Sequence, residues 1–237
     1  DGALPEGVHL QGHAYGLPHA NNADNDTDPY DNPWDVMSDA WNNAVGNPTY
    51  GSLPKHINIY SRNRLGWVVD ARKLTVTAGA SARSVAIDRA SLAGSTNRQM
   101  LILNYPDQAS RYYTLEVRKR SGNYESRLAG DAVIVHEVQT SRKEPAWSMD
   151  ADTPPANRAN NEGSMFKVGE TWVSSDHAFR VTVDSQTVEG FVLTVRPGPR
   201  KSLPGQRVLA PGTAKPAAVA TLAPDRSGAR GIDGIES

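Results

Sequence analysis

A chain of 237 residues is long enough for one large domain or two small ones, and a formal net charge of −1 gives nucleic acid no electrostatic footing. There is no cysteine, so neither disulfides nor thiolate ligands hold the fold or a metal, and 20 glycines and 16 prolines beside 38% hydrophobic residues suit a loop-rich, strand-rich protein. No apolar run approaches the roughly 18 residues that span a bilayer.

Residues 5–15 predict a short helix, with Pro5 acceptable in the first turn and Gly7 costing about 1 kcal/mol relative to alanine. In His9-Leu10-Gln11-Gly12-His13-Ala14-Tyr15-Gly16-Leu17-Pro18-His19 the first two histidines stand four apart, on one helix face. Gly16 can take φ > 0 and turn the chain back, bringing His19 round as a third ligand. Three neutral imidazoles with one position left open form the donor set of a catalytic zinc. Residues 21–33 are dominated by Asn, Asp and Pro, which is loop chemistry. Asp24, Asp26 and Asp28 alternate as hard oxygen ligands for calcium would, but the central glycine and closing glutamate of the EF-hand are missing. The expectation there is a solvated loop, with a calcium site as the lesser reading.

The histidine run resembles the H-E-x-x-H-x-x-G-x-x-H zinc motif of the metzincin metallopeptidases. Downstream, Tyr30-Asp31-Asn32-Pro33-Trp34-Asp35-Val36-Met37-Ser38 stands where that clan has its Met-turn, and with the histidines it resembles the secreted gametolysin and immune inhibitor A type. The resemblance implies that His9, His13 and His19 hold one zinc ion with Met37 beneath it. It also implies hydrolysis of a protein or peptide substrate by zinc-activated water, and export from the cell. One departure matters most: Leu10 occupies the position of the general-base glutamate, so the catalytic set is not intact. Leucine can neither take a proton nor pass one on, and losing such a group typically costs on the order of 10²–10⁴ in rate. Glu6 lies one helical turn earlier, about 5 to 6 Å further along the axis, and Gln11 points about 100° away. The expectation is a zinc metalloendopeptidase by family, impaired or inactive. The alternative is a non-catalytic pseudopeptidase, or a protein- or glycan-binding module carried by the β region. In metzincins a sheet precedes the zinc helix, so a first histidine at position 9 leads to the expectation of a truncated, C-terminal portion of a longer precursor.

Residues 42–54 read as loop, and 54–65 as a second helix. Ile57, Ile59, Tyr60 and Leu65 would form its buried side, Arg62 and Arg64 would sit near its C-terminal end, and Gly66 would close it. His56 reads as a surface histidine of that helix. The Leu65-Gly66-Trp67 ending resembles the helix that leaves the catalytic floor in the family.

From Val68 the period becomes two. Strands are predicted over 74–77, 84–87, 99–103, 112–118 and 132–138, with a closing hairpin of 179–183 and 190–195, together an antiparallel sandwich. The segments 113–118, 130–136 and 165–172 look like the β domain that follows the catalytic unit in this peptidase group. His136 beside Glu137, and His177 after Asp176, read as structural, because strand neighbours face opposite sides. Residues 140–162 read as a polar loop. Beyond Arg196 the chain turns to Pro, Gly, Ala, Arg and Ser, too poor in apolar periodicity to offset ordering entropy.

The resulting fold class is α+β. A partial metzincin catalytic unit (zinc helix, Met-turn, second helix) is expected over 1–67, an antiparallel β-sandwich domain over 68–196 and a disordered tail over 197–237.

Overall fold

Alternating side chains need two different surfaces to face, and in this chain both faces of the main sheet are covered. The computed structural model describes residues 4–23, 28–151 and 162–198, which all belong to the unit Asp1–Lys201. In chain order, helix α1 (Leu4–Ala14) is followed by strands β1 (Asn21–Asn22), β2 (Val45–Asn47) and β3 (Gly51–Leu53), then by helix α2 (Ile59–Arg64). Strands β4 (Lys73–Thr77), β5 (Arg83–Asp88), β6 (Met100–Tyr105) and β7 (Gln108–Arg118) come next, and then the single turn α3 (Gly122–Glu125). The chain continues through β8 (Ala132–Gln139), β9 (Ala146–Ser148), β10 (Thr171–Val173), β11 (Phe179–Gln186) and β12 (Gly190–Pro197). This is a mixed α+β fold with several sheets and few helices, and among the described residues no helix is long and apolar enough to cross a membrane.

A six-stranded sheet, ordered β1-β9-β8-β7-β6-β4, faces a four-stranded one, ordered β10-β11-β12-β5. Their common core takes one set of alternate residues from each strand: Leu101 and Leu103, Tyr113, Leu115 and Val117, Val133 and Val135, against Phe179, Val181, Phe191 and Leu193. The predicted strands from β4 to β8 and the β11–β12 hairpin all form, but the sandwich is not wholly antiparallel. β4 runs parallel to β6, and β1 parallel to β9. The first departure arises because β5 crosses to the other sheet, so the chain re-enters beside β4 in the same direction.

The second face of the large sheet lies under the N-terminal segment. Trp34 packs with Ala132 and Ile134, Ile59 with Met100, and Tyr60 with Val138 and Ala146. This packing explains three further differences from the sequence reading. Residues 140–162 are not all loop, since β9 forms there to take β1 along its edge; residues 152–161 lie outside the described part. Residues 42–54 contain the β2–β3 hairpin, closed where the Asn47 side chain accepts from the amides of Thr49 and Tyr50. The second helix is only six residues long. It begins late because Asn58 caps it, its side chain accepting from Ser61 N at 2.8 Å, while Asn58 N donates to the Asp35 carboxylate at 3.0 Å. His56 is therefore off the helix, 3.2 Å from Glu125. Gly66, at φ 74°, closes α2 as expected. Of the predicted tail only Pro197, the end of β12, and Gly198 are described.

Gly190 shows how tightly the smaller sheet is built. A Cβ there would stand 1.8 Å from the carbonyl oxygen of Ile87 on the paired strand. Gly190→Ala should lower stability by about 3 kcal/mol, the upper end of the usual overpacking cost, read as the shift in urea midpoint. Gly46→Ala, whose Cβ meets nothing within 4 Å, is the matched control and should shift it by less than about 0.5 kcal/mol.

Candidate metal centre

Helix α1 ends in a left-handed turn at Gly16, φ 75°. There Gly16 N donates to His13 O at 2.9 Å and Leu17 N to Gly12 O at 3.0 Å, the paired bonds of a Schellman closure. This reversal carries His19 back over the face that holds His9 and His13. The three rings converge: His13 Nε2 is 3.1 Å from His9 Nε2 and 3.0 Å from His19 Nε2. Among the described residues they form the one group of three or more His, Asp or Glu side chains placed to share a metal ion, their candidate ligand atoms all within 4.8 Å of one another.

The orientation of each ring is fixed from behind. His9 Nδ1 donates to the carbonyl of Val36 at 2.8 Å, and His13 Nδ1 to the carbonyl of Leu17 at 2.9 Å. A carbonyl only accepts, so each neutral ring keeps its proton on Nδ1 and turns the Nε2 lone pair towards its neighbours. Lone pairs facing one another at this distance repel unless a cation lies among them, so the donor set fits a metal ion. Burial, together with the fields of His13 and His9, pulls His19 below its usual pKa and favours the neutral ligand form.

Met37 is fully buried in a small core cluster with Leu17 and Ala20. A Cβ on Gly12 would meet its sulfur at 2.2 Å, so the glycine is what lets the helix lie on the methionine. The loop carrying Met37 is held by Asp35, whose fully buried carboxylate accepts from Met37 N at 2.7 Å as well as from Asn58. Above the rings is a cleft of about 510 Å³ lined by Glu6, His9, Leu10, His13, Tyr30 and Trp41 among others. Leu10 is 59% exposed on its wall, and no carboxylate belongs to the metal-competent group.

Of the candidate calcium loop, Asp24 and Asp26 lie outside the described residues, and Asp28 accepts from Tyr30 N at 2.9 Å. His136 and His177 are not brought together. His136 is fully buried under the N-terminal segment, where burial and the Arg118 charge push its pKa down to about 3. His177 is an exposed turn residue at φ 60°.

Two features were not read from the sequence as parts of a site. One is Tyr30, whose hydroxyl stands 3.1 Å from His19 Nε2. The other is a buried charge network on the second face of the large sheet. Arg118 reaches Glu125 at 2.5 Å and Glu116 at 3.5 Å, and the side chains of Arg118, Glu116 and Glu125 are at most 2% exposed. Burial works to raise Glu125, but Arg118 and His56 overcome it and hold the carboxyl at about 2. Burial pushes Glu116 up to about 7 against the pull of Arg118. Nearby, burial lowers Lys55 to about 8, and its ammonium donates to the carbonyls of Asp39 and Asn42.

No protein-family model, no curated protein and no solved structure matches the chain.

Proposed function

We propose that the chain holds a zinc ion through His9, His13 and His19 as a secreted metzincin-type metalloendopeptidase does, and that Leu10 leaves its peptide-bond hydrolysis impaired. The observation that carries this reading is the facing of three Nε2 atoms at 3.0 and 3.1 Å, with two Nδ1 atoms tied to backbone carbonyls. Zinc held by three imidazoles would supply Lewis acidity toward a scissile carbonyl and toward water. The protein's own part is orientation: Val36 O and Leu17 O aim the rings, and Met37 supports them from below. The cleft beside them offers room for an extended peptide.

What the residues do not supply is a base. Leu10 presents hydrocarbon to the cleft where a carboxylate is needed to move a proton. Glu6 and Asp39 also line the cleft, but helical side chains lean towards the N-terminus, which carries the Glu6 carboxylate away from the rings, and the Asp39 carboxylate is taken up by the amides of Trp41 and Asn42. Casein cleavage by the native chain and by Leu10→Glu tests this, with zinc measured in both. The native chain should carry about one zinc, and Leu10→Glu should raise cleavage on the order of 10²-fold or more. A zinc-loaded Leu10→Glu protein with no gain would overturn the assignment of Leu10 as the defect, and a chain that takes up no zinc would favour the binding-module reading.

A further inference from the structure

We propose that Tyr30 is a fourth donor to the same ion, filling the position that a hydrolytic site leaves to water. This rests on the three-histidine reading above. Two donors on one tetrahedral ion, with bonds of about 2.0–2.1 Å, stand about 3.3 Å apart. The Nε2 pairs here are 3.1 and 3.0 Å apart, and Tyr30 Oη lies 3.1 Å from His19 Nε2, so the phenol continues the same spacing. Its ring lies beside two of the imidazoles, with centroids 4.5 Å from His19 and 6.0 Å from His9.

The hydroxyl is delivered there by a tied loop. Tyr30 N donates to Asp28, the next residue accepts from Asn22 N at 2.8 Å through its carboxylate, and Asn32 is bonded to both Ser38 Oγ and Asn21 O. These bonds tie the residues just after Tyr30 to the strand that follows His19. On binding, the Oη–metal bond forms and the phenol proton passes to solvent. Three nitrogens and one oxygen then complete a four-donor shell, the closed arrangement of a metal that is kept. An absent base at Leu10 and an occupied fourth position act in the same direction, so the gain expected of Leu10→Glu requires water to displace the phenol and should be larger in Leu10→Glu combined with Tyr30→Phe.

The test uses the full chain, stripped and reloaded with copper(II), beside Tyr30→Phe. The native protein should show a visible tyrosinate-to-copper charge-transfer band that Tyr30→Phe lacks. Zinc affinity should fall by about 10-fold or more in the variant, the scale on which even outer partners of metal ligands matter. Near-ultraviolet circular dichroism checks that the variant keeps its fold. A native protein that binds one copper without the band, or a variant with unchanged zinc affinity, would mean that Tyr30 only donates a hydrogen bond to His19, and the proposal falls. If neither protein takes up copper or zinc, the three-histidine reading falls with it.

Discussion

Replacing His13 by alanine should abolish stoichiometric zinc binding. His13 is the middle ring of the cluster, with its Nε2 within 3.1 Å of both others, so its loss removes the donor that both others face. Affinity should drop by more than about 100-fold, beyond what removal of an outer partner produces. The effect is also visible in stability, because an ion bound only by the folded state stabilises it. At a zinc concentration about 100 times the dissociation constant, the native chain should gain about 2.7 kcal/mol and His13→Ala nothing. His177→Asn, at a turn whose positive φ asparagine tolerates, should behave as the native chain does. Equal thermal shifts in His13→Ala and the native chain would exclude the cluster as the binding site.

Arg118→Met should be the most destabilising single change in the buried network, at about 3–5 kcal/mol near neutral pH, because it strands charge in the interior. The arginine is 1% exposed, and it holds Glu125, itself 2% exposed, at about 2. The sign follows from that lowered value. A carboxylate whose folded pKa lies below its unfolded 4.5 stabilises the fold above about pH 4.5, and the contribution disappears as pH falls towards about 2. The gap between the native chain and Arg118→Met should therefore narrow across that window. Adding Glu125→Gln to Arg118→Met should recover much of the loss, as removal of both partners usually does. Glu116 matters less here, since burial already pushes it up to about 7 and it can take a proton instead of remaining charged. Urea denaturation of the single and double variants at pH 7.5 and 3.5 measures all of this.

The parts of the fold that local chemistry determines could be read from the residues alone. β7 and β8 alternate because one face of each builds the sandwich core. Helix α1, its glycine reversal and the convergence of His9, His13 and His19 follow from spacing and one positive φ. What depends on distant partners left no such mark. The parallel pairing of β4 with β6 depends on where β5 goes, and β9 is only three residues long, defined by the neighbours it meets. The start of α2 is set by the Asp35 carboxylate, 23 residues earlier in the chain. Thr114, Glu116 and Arg118 alternate with apolar neighbours in the pattern of a solvated face, yet that face is covered and all three are buried. Tyr30 sits in a run of Asp, Asn and Pro with nothing in its own spacing to tie it to His19, because its position is set by bonds to Asn21 and Asn22 made through the residues after it.

Strand β1 is one of the two edge strands of the large sheet, and it starts two residues after His19. Were it to peel away, β9 would present a bare row of amides and carbonyls, the kind of border that recruits foreign strands into aggregates. Anything that immobilises the His19 imidazole therefore also guards the sheet against self-association. On the metal-site reading, a chain stripped of the ion would then suffer first in solubility, well before its core gave way.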